Sequence, residues 1–449
     1  MSTDIRIKKG LDIKLKGKAQ LKLSSAPRSK TFAIVPSNFH GITPKLVVKV
    51  GDKVNVGDTL FYSKQKEEVK FSSPVSGEVK EIVRGAKRVI LSIIISADAQ
   101  DHFKEFKVKK VDGLSSDEVK QLMLESGCWP FINQRPYDVI ANPDDQPKSI
   151  FVSGLSTAPL SADVDFVLKN KESEFQEGIK ALAKLTEGKV HLTVSSSGNS
   201  FLTQIKGAEI HRINPIHPAG NVGTQISRID PINAGERVWT VKPQDVAAIG
   251  SLFLHGKYDP SIVVALAGSQ VLEPQYYTTI RSAQLESITK GNLSDQKNRI
   301  INGNPLTGEA VSKAGFLGFY NDTISVIPEG DHYSFFGWVP FTGGNKFSMS
   351  RTFLSWLNGK KEYDLDTNMN GEERAFVLTG EMEKVFPLDI YPMQLLKAVM
   401  SGDIERMENL GIYEVAPEDF ALVDFVSSSK IEAQDLIRKG LDIMIKEVG

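Results

Sequence analysis

Val50-Gly51-Asp52-Lys53-Val54-Asn55-Val56-Gly57-Asp58-Thr59-Leu60, followed by Ser73-Pro74-Val75-Ser76-Gly77-Glu78-Val79, is the stretch from which the fold of this chain is read. A Gly-Asp phrase occurs twice at close spacing. Each copy supplies a glycine free to take positive φ beside an aspartate that favours turns. Val47, Val54, Val56, Leu60, Val75 and Val79 are the apolar positions around those turns. Short strands patterned this way bury one face each, which predicts two small sheets packed together.

The doubled phrase resembles the barrel-sandwich hybrid of biotinyl and lipoyl domains. In those domains a lysine at a hairpin tip, midway between the halves, bears the cofactor, and in the biotin version its neighbours are methionines. Here the interval reads Tyr62-Ser63-Lys64-Gln65-Lys66-Glu67-Glu68-Val69, a charged tip without a flanking Met. Lys64 and Lys66 are the residues a covalent group would use, and a charged tip is equally what an ordinary solvated hairpin presents. Working outward, Leu11, Ile13, Leu15, Leu21 and Leu23 alternate with lysines between Lys8 and Lys22, an extended-arm or edge-strand pattern. The β-branched run from Arg88 to Ser96 closes the sandwich. The charged, aperiodic run from Asp98 to Lys110 marks a boundary, so residues 1–100 read as arm plus sandwich.

Beyond it, Ser116 to Gly127 has a capping start, helical apolar spacing and a terminal glycine. A buried strand follows at Ser149–Gly154, then a helix from about Phe175 to Thr186 that Gly188 stops, and the strand Lys189–Val194. Strand, helix and strand in this order predict a parallel crossover and an α/β domain over 101–258. It includes a further helical segment at Val246–Phe253. From the strand Ser261–Ala267 the segments are short and strand-rich, with turn chemistry at Gly303–Gly308, and 259–335 reads as a small α+β unit. An irregular aromatic stretch at 335–341 leads into 336–449, a linker and a helical tail. Leu395, Leu396, Val399 and Met400 mark one helix there. Phe420, Leu422, Val423 and Phe425 mark another, and Ile431, Leu436, Ile437 and Leu441 a third, together a small bundle.

Composition narrows the function classes. On length alone 449 residues suggest about three domains. A net charge of −1 lacks the basic excess of nucleic-acid binding, so nucleic acid is not an expected partner. One cysteine, Cys128, excludes an internal disulfide and any Cys-ligated zinc or iron–sulfur cluster. The reducing cytoplasm is the expected compartment. The polar N-terminus shows no secretory signal, and no apolar run of about 18 residues spans a bilayer, so a membrane role would be peripheral.

The candidate chemistry is sparse. His217-Pro218-Ala219-Gly220-Asn221-Val222-Gly223-Thr224 is rich in glycine, but it lacks the Gly-Lys-Ser/Thr of a P-loop and a clear preceding strand, and reads as tight-turn packing. Gly-x-Gly-x-x-Gly is absent between Ser149 and Pro159, so the α/β domain has a nucleotide binder's shape without its signature. The seven histidines include no i, i+4 pair, and His211 and His217, flanking Pro215, are the nearest to a metal pair. Cys128 beside Trp129-Pro130 reads as a small buried hydrophobe. No residue is assigned as catalytic, cofactor-binding or metal-ligating. Cys128 to Tyr137, with its rings, arginine and two prolines, reads as a contact surface outside any regular element. Trp129, Phe131, Arg135 and Tyr137 there, and Phe39 and His40 in a second segment, suit a flat ring such as a quinone or a protein interface. A packed loop without a ligand is the alternative.

Taken in order along the chain, several phrases resemble the NqrA family of the bacterial sodium-translocating NADH:quinone oxidoreductase. They include Lys9-Gly10-Leu11-Asp12, the Gly-Asp phrases, Arg84-Gly85, Gln134-Arg135-Pro136, His217-Pro218-Ala219-Gly220, Gln244-Asp245-Val246, Pro328-Glu329-Gly330, Gly337-Trp338, Pro387-Leu388-Asp389-Ile390 and Glu418-Asp419-Phe420-Ala421-Leu422. That family is distantly similar to the NADH-binding flavoprotein of complex I and to the RnfC component of the Rnf complex. The kinship implies a Rossmann-like domain, a soluble-ligand-binding β-grasp (SLBB-like) domain and a C-terminal helical bundle. It also implies that the flavin glycine loop and cluster cysteines are lost. Phe425-Val426-Ser427-Ser428-Ser429-Lys430 stands where relatives often carry a cysteine before Pro-Ser-Lys. The resemblance implies a peripheral subunit on the cytoplasmic face of the bacterial inner membrane, assembled with the other five subunits and especially the integral membrane ones. It would serve docking and a share of the quinone path, while flavins, iron–sulfur centre and NADH belong to partners. Two alternatives stand beside it: a scaffold without any ligand, and a carrier modified at Lys64 or Lys66.

Overall fold

The computed structural model describes residues 3–107, 110–332, 335–337, 339, 346–349, 351–377 and 379–448. Trp338, Pro340 and Phe341 of the aromatic stretch lie outside the described residues.

Both Gly-Asp phrases make the turns their composition requires. Gly51 and Gly57 take φ of 91° and 90°, and the Asp52 and Asp58 carboxylates accept from the backbone N–H of Lys49 and Asn55 at 2.9 and 2.8 Å. Thr31–Ile34, Ile90–Ala97, Gly77–Arg84 and Lys53–Val54 form one sheet in that order, and Pro44–Leu46, Thr59–Ser63 and Lys70–Ser72 the other. Val54, Val56, Leu60, Val75 and Val79 are buried, whereas Val47 is 52% exposed and stands outside the core to which the pattern assigned it. At the hairpin tip the Lys66 ammonium is paired with the Asp144 carboxylate of the next domain.

The arm leaves the sandwich and lends an edge strand to each of the other two sheets. Thr3–Ile5 runs parallel to Glu209–Ile213, and Gln20–Ser25 parallel to Gln275–Ile280. Ile7 and Ile13 between them are buried, while Leu21 and Leu23 on the outer strand remain exposed.

The α/β domain is a seven-stranded sheet. Its order is Thr3–Ile5, Glu209–Ile213, Lys189–Ser195, Ser149–Ser153, Val238–Val241, Ile132–Arg135 and Val139–Ile140. The first five are mutually parallel, Ile132–Arg135 runs antiparallel to Val238–Val241, and Val139–Ile140 runs antiparallel to Ile132–Arg135. Ser116–Ser126 is helical with Ser115, one residue before the expected cap, in a reciprocal capping box with Glu118. The helices Glu172–Ala183 and Pro243–His255 pack together, and glycine permits their close approach. A Cβ at Gly250 would lie 1.7 Å from the Glu174 carbonyl oxygen, and one at Gly178 2.0 Å from that of Val246. Gly250→Ala is expected to destabilise the protein by at least about 2 kcal/mol, because two backbones would have to separate. A thermal melt matching the parent would refute this.

Glu309–Val311, Asn298–Asn302, Thr323–Pro328, Ser261–Ala267, Gln275–Ile280 and Gln20–Ser25 form a six-stranded sheet. The C-terminal helices Pro392–Ser401, Ile404–Asn409, Ala421–Val426 and Ala433–Glu447 close around Leu395, Leu396, Met407, Phe420, Val423, Ile437 and Leu441.

Candidate functional site

In the seven-stranded sheet the chain winds outward on one side of Ser149–Ser153 through Lys189–Ser195, and then returns to the other side as Val238–Val241. An open parallel sheet parts its loops at such a reversal, leaving a crevice outside the carboxyl ends of the two strands. One is present here, about 280 Å³ in volume, lined by Asn133, Arg135, Ser153, Gly220, Thr240, Lys242, Tyr320 and Glu418 among others. It shares Asn133, Asp138 and Tyr320 with a smaller cleft of about 130 Å³ that reaches Asn38, Phe39, His40 and Arg438. Sandwich, α/β domain, strand-rich unit and C-terminal helices all contribute walls.

Two helix N-termini open onto the crevice, at Val222 and Pro243. Their free N–H groups and dipoles favour negative charge. The chain supplies that charge itself. Arg135, 1% exposed, donates to the Asp419 carboxylate from Nη1 and to Glu418 from Nη2, each at 2.7 Å. Asp419 packs against Gly223 so closely that a Cβ there would meet its Oδ1 at 2.4 Å, and Asn221 Nδ2 donates to the Glu418 carbonyl at 3.0 Å. The glycine-rich segment does follow a strand, Glu209–Ile213, and its glycines accommodate an internal carboxylate and the Thr157 hydroxyl, which accepts from Gly220 N–H at 2.9 Å.

The candidates taken from the sequence divide into two groups. Arg135, Phe39 and His40 come together around the connected crevice. Trp129, Phe131 and Tyr137 pack outside it. Trp129 is fully buried, edge-on to Trp239, and its indole N–H donates to the Ala141 carbonyl at 2.7 Å. Phe131 is stacked between Tyr258 and Phe319. Tyr137 packs with Tyr413 in the C-terminal core, and its carbonyl accepts from Arg438 at 2.7 Å. The segment 128–137 is therefore not an exposed loop. Trp129–Phe131 is a single 3-10 turn and Ile132–Arg135 a sheet strand, because Arg135 and Gln134 find partners that let polar side chains be buried. His40 contacts Asp442 at 2.7 Å and ties the sandwich to the last helix. Cys128 is buried, and burial pushes its thiol up to about 12, which keeps it protonated and unreactive.

Sequence reasoning missed the donors that face the opening. Asn133 and Thr240 are register partners on neighbouring strands, both half-exposed and both lining the crevice. Lys242 joins them, with its ammonium donating to the Tyr320 carbonyl at 2.9 Å. Asn133 belonged to the quoted segment, but only pairing places Thr240 beside it. The two histidines flanking Pro215 do not meet. His217 shares a hydrogen bond of 3.1 Å with Thr157, and burial lowers it to about 4. His211 instead lies 3.0 Å from His191 on the adjacent strand. Burial also lowers His191 to about 4 and His211 below its ordinary value.

Family comparisons match residues 5–98 to the NqrA N-terminal barrel-sandwich hybrid domain, 114–258 to the NqrA second alpha/beta domain and 263–313 to the NQRA C-terminal domain. Over 99% of its length the chain is 37% identical to the whole of the NqrA protein of the Na(+)-translocating NADH-quinone reductase of Saccharophagus degradans. The chain belongs to this NqrA family. The Cellvibrio japonicus member is 39% identical over 97% of this chain and 98% of its own length. One from Haemophilus influenzae is 38% identical over 99% of this chain and 100% of its own length. A solved NAD+-reducing nickel–iron hydrogenase superposes with a TM-score of 0.41 at 10% identity, covering 76% of this chain and 62% of that one, too loosely to carry an argument. Family membership agrees with the resemblance carried by the ordered phrases. Among the described residues no helix is long and apolar enough to cross a membrane.

Proposed function

We propose that this chain is a peripheral subunit of a membrane-bound, Na+-translocating NADH:quinone reductase, docked on the cytoplasmic face against integral membrane subunits. Its crevice takes the quinone headgroup. NADH, flavins and the iron–sulfur centre belong to partner subunits. The observation that carries the quinone reading is the connected crevice at the junction of all four parts of the chain. There Asn133, Thr240 and Lys242 offer donors to a ring carbonyl, and Phe39 and Tyr320 offer apolar and aromatic wall. The Arg135 pair with Glu418 and Asp419 anchors the floor.

The finer fold labels follow the same reading. The seven-stranded sheet is Rossmann-like, the six-stranded sheet is a ligand-binding β-grasp and the C-terminal helices form a bundle. Lys66, paired with Asp144, serves as a domain contact rather than a carrier site.

Photo-crosslinking of the assembled complex with a quinone analogue tests the proposal. Label is expected in peptides containing 38–40, 133–138 or 240–242. Asn133→Leu combined with Thr240→Val should raise the KM for quinone while leaving assembly intact. Label confined to partner subunits, with an unchanged KM, would reduce the chain to a scaffold.

A further inference from the structure

We propose that His191, Glu209 and His211 form a binding site for a divalent transition metal of the Zn2+ class, separate from the crevice and from the role proposed above. The site comes from register. His191 lies directly opposite Glu209 on the neighbouring parallel strand, and His211 follows Glu209 by two residues. Side chains two apart on a strand share a face, as do register partners, so all three project from one face of the sheet.

The donor atoms lie within 4.8 Å of one another. His191 Nδ1 is 3.0 Å from His211 Nε2 and 3.9 Å from Glu209 Oε2. Metal–ligand bonds of about 2.0–2.1 Å bring tetrahedral ligand atoms to separations between these two values. Closing the set requires rotation of the partly exposed Glu209 side chain while the histidines keep their strand positions. A hydrogen bond between the two imidazoles accounts for the first distance, and the Glu209 carboxylate stands beside them as a third donor of the kind a zinc site uses. Two imidazoles and one carboxylate with an open fourth position form a zinc-type donor set. Glu209 is at present held by Lys189 at 2.8 Å, and Lys189 is exposed, so that pair competes only weakly. His211 Nδ1 has no partner among the described residues. The ring therefore lacks an outer-shell acceptor, and moderate rather than tight affinity is expected. The strand Glu209–Ile213 also pairs Thr3–Ile5, with Thr3 opposite His211, so a bound ion would fasten the sheet where the N-terminal strand joins it.

Calorimetric titration of the full-length chain, freed of any tag, with Zn2+ should give one site. Co2+ should develop the visible bands of a tetrahedral nitrogen–oxygen centre. Glu209→Gln and His211→Gln should each weaken Zn2+ binding at least about tenfold. Lys189→Met, an exposed change that leaves the core untouched, should tighten it by removing one competitor for the Glu209 carboxylate. The absence of saturable Zn2+ binding would overturn the assignment. So would affinities indifferent to Glu209→Gln and Lys189→Met, which would place any bound ion elsewhere.

Discussion

Arg135→Ala will lower the stability of the protein by about 3–5 kcal/mol, the range seen when one partner of a buried ion pair is removed. The guanidinium is almost wholly enclosed and bridges Glu418 and Asp419. Glu418, with 40% of its side chain exposed, can turn to water, but Asp419 at 0% cannot. Without Arg135 that carboxylate keeps the backbone N–H of Ala416, at 2.9 Å, and the nearby helix terminus at Val222. Those contacts offset only part of the cost of an unpaired buried charge. The double variant Arg135→Met, Asp419→Asn should recover much of the loss, since no charge is then stranded. Urea denaturation of the three proteins measures this, and a single-variant loss below about 1 kcal/mol would mean that Asp419 is solvated.

The second large effect is expected at Arg281. It is buried, donates from Nη2 to Asp245 Oδ1 at 2.5 Å and from Nη1 to the Phe319 carbonyl at 2.8 Å, and lies over the rings of Phe131 and Phe319. Asp245 is in the first turn of the helix Pro243–His255, while Arg281 follows the strand Gln275–Ile280, so the pair joins two domains. Arg281→Met should cost about 3–5 kcal/mol at neutral pH through the stranded Asp245. Burial already raises the Asp245 carboxyl above its ordinary value against the lowering effect of Arg281, and the variant raises it further. A raised carboxyl stabilises the fold below its unfolded pKa of about 3.9, and that contribution is lost as pH climbs through the folded value. The deficit of Arg281→Met relative to the parent should therefore shrink as pH falls toward about 4. A deficit that is constant or grows on acidification would contradict a stranded carboxylate.

Both arginines show where reading along the chain stops. Arg135 looks like a surface residue beside Pro136, because its two carboxylates are 283 and 284 residues away. The same distance disguised Ile132–Arg135 as loop, since three of the four residues of that strand are polar. The candidates Phe39, His40 and Arg135 were legible as residue types suited to a ring ligand, and the crevice walls include all three. Trp129 and Phe131 have the same chemistry but are sealed in core contacts. The metal triad was invisible to a search for helical spacing, because its two histidines are adjacent only through strand register.

Features that depend on neighbours a few residues away are legible along the chain. The Gly-Asp turns, the capped helix at Ser116–Ser126, the buried strands at Ser149–Ser153 and Ser261–Ala267 and the family phrases are local, governed by backbone sterics and short-period burial. Tertiary structure decided the fate of the arm, the burial of Arg135 and Arg281, and the register that sets Asn133 beside Thr240 and His191 beside Glu209. Those outcomes turn on which distant group compensates a desolvated charge or completes a sheet edge. That is a property of the packed chain and has no period along the sequence.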